Sequence, residues 1–276
     1  MLETPRAAAL VSPSDRALGA LIDAARHAGA IAARHFRLGA QTSAAIDYKA
    51  GGSPVTAADL AADAYLRDAL GAAFPGAGWL SEETVDSPQR LARREILIVD
   101  PIDGTRAFLS GDPRWAVSIA LVVDGRPVAG VVHAPSLSET YAAARGQGAT
   151  RNGAPIRASA RTTLDGARAG GPKRMIESIA RGAGARIEVA PRTPSLAYRL
   201  ALVASGALDF AVASTNSNEW DVAAADIVLG ESGAALLDPS GAPLAYNRLD
   251  TRYGPLLAAP AALLAPIRAA SPDLAG

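Results

Sequence analysis

Apolar residues recur at helical spacing early in the chain. Leu18, Leu21, Ile22, Ala25, Gly29, Ala32 and Phe36 predict one helix with a single buried face. Ser12-Pro13-Ser14-Asp15 supplies its start, with Ser12 as N-cap, Pro13 in the first helical position and Asp15 close behind. Residues 1–11 read as a loose tail. His27 and His35 lie on this helix two turns apart, too far to chelate together, and belong to its surface. A Gly-rich connection at 49–54 leads into a second helix that runs to about Ala73. Thr56 is its predicted N-cap, Asp59 closes a capping-box-like pair, and Val55 and Leu60 form a staple across the first turn.

The pattern then changes to strands. Trp79-Leu80-Ser81 is a short one and delivers Glu82-Glu83 into a loop. Residues 84–94 are polar and predict no fixed element, with Arg93 and Arg94 as exposed charge. Ile96-Leu97-Ile98-Val99, three of its four residues β-branched, predicts a strand buried on both faces. Two further strands, 115–123 and 127–133, flank Asp124-Gly125, a two-residue hairpin signal. His133 takes an ordinary place in the second of them. A strand at 139–144 and turns at Gly146-Gln147-Gly148 and Arg151-Asn152-Gly153 complete an antiparallel half.

From about Arg157 strands and helices alternate: strand 167–171, helix 173–180, strand 186–189, helix 194–205 stopped by Gly206, and strand 208–214. A helix from Glu219 to about Leu229, ended by Gly230, follows. A hairpin around Asp238-Pro239-Ser240-Gly241 and a short helix near 261–269 close the chain. This βαβα texture predicts an α/β second half. The 276 residues therefore divide into an α+β half, 1–156, and an α/β half, 157–276.

Composition narrows the function. The net charge is +0 with 20% charged residues, which argues against a nucleic-acid polymer or a membrane surface as partner. With no cysteine, disulfides, thiolate metal sites and cysteine nucleophiles are excluded, and a reducing cytoplasm is the expected setting. No apolar run reaches the roughly 18 residues that span a bilayer, and the N-terminus lacks a signal peptide's apolar core. The 49% hydrophobic content is largely alanine, which blunts every periodicity argument.

The chemistry gathers at strand ends. Asp100 and Asp103 stand three apart after the buried strand, where Pro101 keeps Asp100 extended and Gly104 permits a tight turn. Two carboxylates there repel each other unless a cation lies between them. Thr105 offers a hydroxyl and an N–H where a helix can begin, a favourable place for a phosphate. Glu82, Asp100, Asp103 and Asp221 each fall at or just past a predicted strand end. Oxygen donors without thiolates suit Mg²⁺. With no Walker loop in the chain, phosphate-monoester hydrolysis fits better than nucleotide-driven transfer. Taken singly, Asp59 remains a helix cap and Asp221 a complement to a helix dipole.

Four motifs in order resemble the inositol monophosphatase superfamily: Thr56-Ala57-Ala58-Asp59, Glu82-Glu83, Asp100-Pro101-Ile102-Asp103-Gly104-Thr105 and Glu219-Trp220-Asp221-Val222-Ala223-Ala224-Ala225. The resemblance covers most of the chain. It implies a layered αβαβα sandwich and a Mg²⁺-dependent, lithium-sensitive phosphatase with two or three ions per site, acting on a small phosphate monoester as a homodimer. Glu82, Asp100 and the Ile102 carbonyl would hold one ion, and Asp100, Asp103 and Asp221 a second. Asp59 and Thr105 would orient the attacking water, with Glu82 also catalytic. Asp103, Gly104, Thr105 and Asp221 would meet the substrate. Inositol-specific members carry a glutamate where this chain has Ser214, and a glycine where it has Pro194. Ser53–Asp59 and Leu80–Glu83 look closest to the bacterial 3′(2′),5′-bisphosphate nucleotidases. The resemblance thus implies removal of the 3′-phosphate from 3′-phosphoadenosine 5′-phosphate, with inositol monophosphate as the alternative substrate.

Overall fold

The computed structural model describes residues 13–48, 52 and 54–271. The expected tail at 1–11, Ser12 as a cap, and positions 49–51 and 53 of the Gly-rich connection lie outside the described residues.

Helix α1 (Pro13–Ala33) leads to a small antiparallel pair, β1 (Ile46–Tyr48) with β2 (Pro54–Thr56), and then to α2 (Ala57–Ala73). Leu21, Ala24, Ala25, Ala28 and Ala32 of α1 are buried, the face that the spacing predicts. The helix stops two residues before His35, which sits in the turn beyond it, while His27 bonds Asp23 O from an exposed position. Thr56 caps α2 as expected, but Leu60 is 52% exposed, so the predicted staple buries little.

A seven-stranded sheet follows, in the order β3 (Gly78–Ser81), β4 (Glu95–Asp103), β5 (Ala116–Val123), β6 (Arg126–Ala134), β7 (Glu139–Ala144), β8 (Ala149–Arg151) and β9 (Ala154–Ile156). The short helix α3 (Thr105–Ser110) follows β4. Asp124 and Gly125 turn β5 into β6 with positive φ at both positions, 50° and 72°, as the Asp-Gly signal requires. The polar stretch after β3 is not formless. Residues Pro88–Ala92 make a 3₁₀ turn, and Arg90 is buried by bonds to Asp86, Asn247 and the Arg248 carbonyl. Arg93 and Arg94 are exposed, Arg94 pairing with Asp124.

The second half builds a five-stranded sheet. Its elements are β10 (Ala167–Gly170), α4 (Lys173–Ala183), β11 (Ile187–Val189), α5 (Leu196–Ala204), β12 (Phe210–Ala213), β13 (Ser217–Asn218), α6 (Glu219–Ser232), β14 (Ala234–Leu237), β15 (Arg252–Tyr253), β16 (Leu256–Pro260) and α7 (Ala261–Ala270). The sheet order is β11-β10-β12-β16-β14, while β13 and β15 pair separately. Gly230 does not end α6. It is exposed and tolerated inside the helix, and Gly233, at φ 95°, supplies the left-handed cap. The segment at 238–241 forms a turn joined by one bridge, Leu237 to Pro243, and β14 pairs with β16 instead.

The layers follow from alternation along the strands. Leu97 and Val99 of β4 face α1 and α2 in one core, with Val117, Ile119 and Val131 beside them. Ile96 and Ile98 point the other way, into a core shared with α5 and α6. The far face of the five-stranded sheet, with Phe210, Val212, Leu257 and Ala259, packs on Ile176, Ile179, Leu263 and Ile267 of α4 and α7. The result is the layered αβαβα sandwich, with α5 and α6 between the two sheets. Among the described residues, no helix is long and apolar enough to cross a membrane.

Candidate active site

In a regular strand, residues three apart point to opposite faces. The pairing of β4 with β5 breaks that rule where the acids stand: Asp100 opposes Ser118 and Asp103 opposes Ala116, so β4 holds one extra residue. This bulge returns Asp103 to the face that Asp100 occupies, toward α5 and α6. Asp100 Oδ1 accepts the Ile102 N–H at 3.0 Å, tightening the turn. Gly104, at φ 92°, caps α3 in a left-handed conformation and lies against the start of α5. A Cβ there would come within 3.2 Å of the Ser195 nitrogen.

Three carboxylates converge. Glu82, Asp100 and Asp221 each offer an oxygen, and these oxygens lie within 4.8 Å of one another. Glu82 arrives from β3, its N–H bonded to the Val99 carbonyl at 3.2 Å. Asp221 arrives from the first turn of α6, where its Oδ2 accepts the Asn218 N–H at 2.6 Å. Ser118 fastens that turn to β5 through the Trp220 carbonyl, at 3.0 Å. Burial pushes the Asp100 carboxyl well above the usual carboxylate range, helped by Glu82, Asp103 and Asp221.

Asp103 stands beside this group with its Oδ2 already engaged. It accepts the Ser195 hydroxyl and the Ala197 N–H, both at 2.6 Å. Burial raises its pKa to about 6 against those two bonds. The Ile102 carbonyl accepts from the Thr105 hydroxyl at 3.2 Å.

Asp59 divides its two oxygens between the two roles open to it. Oδ2 closes the capping box, accepting Thr56 N at 2.7 Å and Thr56 Oγ1 at 2.6 Å. Oδ1 faces the Thr105 hydroxyl at 3.5 Å, across 46 residues of sequence. Burial raises the Asp59 pKa to about 6, with the Thr56 bonds opposing it.

Two site residues escaped the sequence reading. Ser195 is the N-cap of α5 and fixes Asp103. Asp63, buried one turn after Asp59 on α2, grips both sides of the Glu82 loop through Ser81 Oγ at 2.5 Å and Thr84 Oγ1 at 2.7 Å. The i, i+4 acid pair on α2 was its only signal. Glu219, by contrast, accepts the N–H groups of Asn247 and Arg248 and anchors α6 away from the three-carboxylate group.

The donor set fits a hard divalent cation. Asp100 Oδ2 is buried with no hydrogen-bond partner, in a group composed of oxygen donors alone. A cation relieves both the desolvation and the mutual repulsion of such carboxylates.

Comparison with known proteins agrees with this architecture. The chain is 31% identical over 249 residues to a 3′(2′),5′-bisphosphate nucleotidase of Aggregatibacter actinomycetemcomitans, covering 85% of this chain and 89% of that one. It is 37% identical over 220 residues to a histidinol-phosphatase of Mycobacterium tuberculosis, covering 71% and 78%. The solved inositol monophosphatase of Anabaena superposes with a TM-score of 0.75 at 26% identity, covering 93% of this chain and 95% of that one. The inositol monophosphatase family model matches residues 14–271, from the first turn of α1 to the residue after α7. With nearly the whole described fold inside that match, the chain belongs to the inositol monophosphatase family.

Proposed function

We propose that this chain is a Mg²⁺-dependent phosphatase that removes the 3′-phosphate of 3′-phosphoadenosine 5′-phosphate. The observation that carries the reading is the contact of Asp59 with Thr105 beside the three-carboxylate group. A protein that merely bound metal or phosphate would have no use for that pair.

Glu82, Asp100, Asp221 and the Ile102 carbonyl would hold Mg²⁺, and Asp103 would join Asp100 and Asp221 around a second ion. The cations would offset charge on the phosphoryl oxygens and lower the pKa of water. The side chains do the positioning. The single Thr105 hydroxyl proton lies between the Ile102 carbonyl, at 3.2 Å, and Asp59 Oδ1, at 3.5 Å. Asp59, its pKa about 6, is mostly ionised at neutral pH and would take that proton in a hydrogen bond once the carbonyl served a cation. The lone pairs of Thr105 Oγ1 are then available to accept a bond from the attacking water and aim it. Glu82 assists as a further acceptor for that water. The N–H groups of Gly104 and Thr105 face the substrate phosphate where α3 begins, while Asp103 and Asp221 approach the leaving side. The site then lies at the seam of halves 1–156 and 157–276, and the working form is a cytoplasmic homodimer.

Support for the nucleotide comes from the bisphosphate nucleotidase relative. Inositol monophosphate hydrolysis is the second reading, favoured by the likeness to the Anabaena structure. Turnover of adenosine 3′,5′-bisphosphate, inositol 1-phosphate, histidinol phosphate and fructose 1,6-bisphosphate by the purified protein separates them. Preference for inositol 1-phosphate would overturn the nucleotide assignment.

A further inference from the structure

Arg199 is a largely buried cation with no counter-ion in contact among the described residues. It occupies the fourth helical position of α5, whose N-cap is Ser195. Residues four apart share a helix face, so Arg199 stands on the side from which the Ser195 hydroxyl grips Asp103. Its stem crosses the end of β10, where a Cβ on Gly170 would come within 3.2 Å of both Cγ and Cδ. The glycine leaves room for that stem. In parallel α/β sheets, ligands bind beyond the carboxyl ends of the strands, and Gly170 is the last residue of β10.

The guanidinium is poorly satisfied. Nη1 makes one long bond to the Thr193 carbonyl, at 3.4 Å, and the buried Nε has no partner. Among the described residues Arg199 forms no ion pair. Burial works against its charge and Arg192 adds to the penalty, while Asp103 partly offsets both. Arg192 is exposed and also forms no ion pair among the described residues. A lysine so placed could shed its proton, but arginine stays charged. One carbonyl bond returns little of the cost of desolvating such a group.

We propose that Arg199 binds a second, non-reacting phosphate of the substrate, so that the site selects bisphosphates over monoesters that carry only hydroxyls or an amine at that place. This rests on the phosphatase reading above. A guanidinium presents a fork of N–H donors that matches phosphate oxygens, and the anion supplies the missing counter-charge. A hydroxyl leaves that charge uncompensated. An ammonium group is repelled by Arg199 and Arg192 together.

The test is a specificity ratio. For wild type, Arg199→Gln and Arg199→Lys, kcat/KM is measured with adenosine 3′,5′-bisphosphate against adenosine 3′-phosphate, and with fructose 1,6-bisphosphate against fructose 1-phosphate. The expected result is a fall in the bisphosphate-to-monophosphate ratio of about 10²-fold in Arg199→Gln, mostly through KM. Arg199→Lys should recover much of it. The pair that responds identifies whether a nucleotide or a sugar carries the second phosphate. A ratio unchanged in both pairs overturns the proposal, including the case where both members fall equally because Arg199 only supports Asp103. The melting temperature of Arg199→Gln without substrate should equal or exceed that of wild type. If wild type hydrolyses no phosphate monoester, the phosphatase reading fails separately. Calorimetric titration of adenosine 3′,5′-bisphosphate into the Mg²⁺-loaded proteins then decides the subsite: tenfold weaker binding by Arg199→Gln supports it, and equal or absent binding overturns it.

Discussion

Thr105 carries two explanations that mutation separates. As the first residue of a six-residue helix its hydroxyl already bonds the Ile102 carbonyl, a contact worth about 1 kcal/mol to stability. As a partner of Asp59 it would orient water, and loss of such positioning costs about 10²–10⁴-fold in rate. Thr105→Ala should therefore lower turnover at least about a hundredfold with little change in metal affinity, and Thr105→Ser should keep much of the rate. Asp59→Asn should match the alanine variant. Its amide oxygen can still accept from Thr56, so the helix cap survives while the group facing Thr105 changes. The double variant should be little worse than either single, because the two act as one unit. Rate losses that multiply instead would mean separate roles. Most of these residues were legible because their types crowd at strand ends in a short span of sequence. By spacing alone Asp59 was legible only as a cap, and the resemblance was needed to pair it with Thr105, since its second oxygen meets a residue 46 positions away. The bond of Ser195 to Asp103 and the place of Arg199 beside Gly170 were not legible, because both depend on how α5 docks against β4 and β10.

Among the elements, β4 was legible because aliphatic β-branched residues and flanking turn chemistry agree. Its length was not, since the bulge carries the pairing past Pro101 to Asp103. Strands of two or three residues, such as β1, β13 and β15, hold too little pattern to show in sequence and owe their form to partners far along the chain. The end of α6 was misread because an exposed glycine costs a helix only about 1 kcal/mol. Within α6, Asp226 gives a pH test on a carboxyl outside the group of Glu82, Asp100 and Asp221. Its Oδ2 accepts the Tyr246 hydroxyl at 2.9 Å, and burial raises its pKa from 3.8 to about 6. The folded state thus holds that proton more tightly than the unfolded chain. The contribution is full below about pH 4, is lost as pH rises through about 6, and amounts to at most about 3 kcal/mol. Asp226→Asn keeps an acceptor for Tyr246 and removes the charge. Its melting temperature relative to wild type should rise between pH 4 and 7 and then level off. A difference that stays flat over that range would mean that Asp226 is ionised without penalty.

At the scale of the whole molecule, the change of texture near residue 157 showed an alternating α/β second half, while the αβαβα order came only from the resemblance carried by the four motifs. The way α5 and α6 form one core with both sheets was not legible, because alanine fills that layer and hides its period. The same packing drives the acids together: Glu82 comes from the edge strand β3, Asp100 from the bulged end of β4, and Asp221 from the helix between the sheets. A cation held by these acids would therefore be coupled to the fold. Without metal, Asp100→Asn should melt at or above the wild-type temperature, since one of several crowded charges is gone. With Mg²⁺ present, wild type should gain stability in proportion to the logarithm of ion concentration, and the variant should gain much less. A metal-free variant that melts far below wild type would mark Asp100 as structural. The most direct measurement is phosphate release from adenosine 3′,5′-bisphosphate by the purified protein, first with a chelator and then with excess Mg²⁺. No release is expected with the chelator and full release once Mg²⁺ is restored; undiminished release in the chelator would rule out a metal-dependent phosphatase.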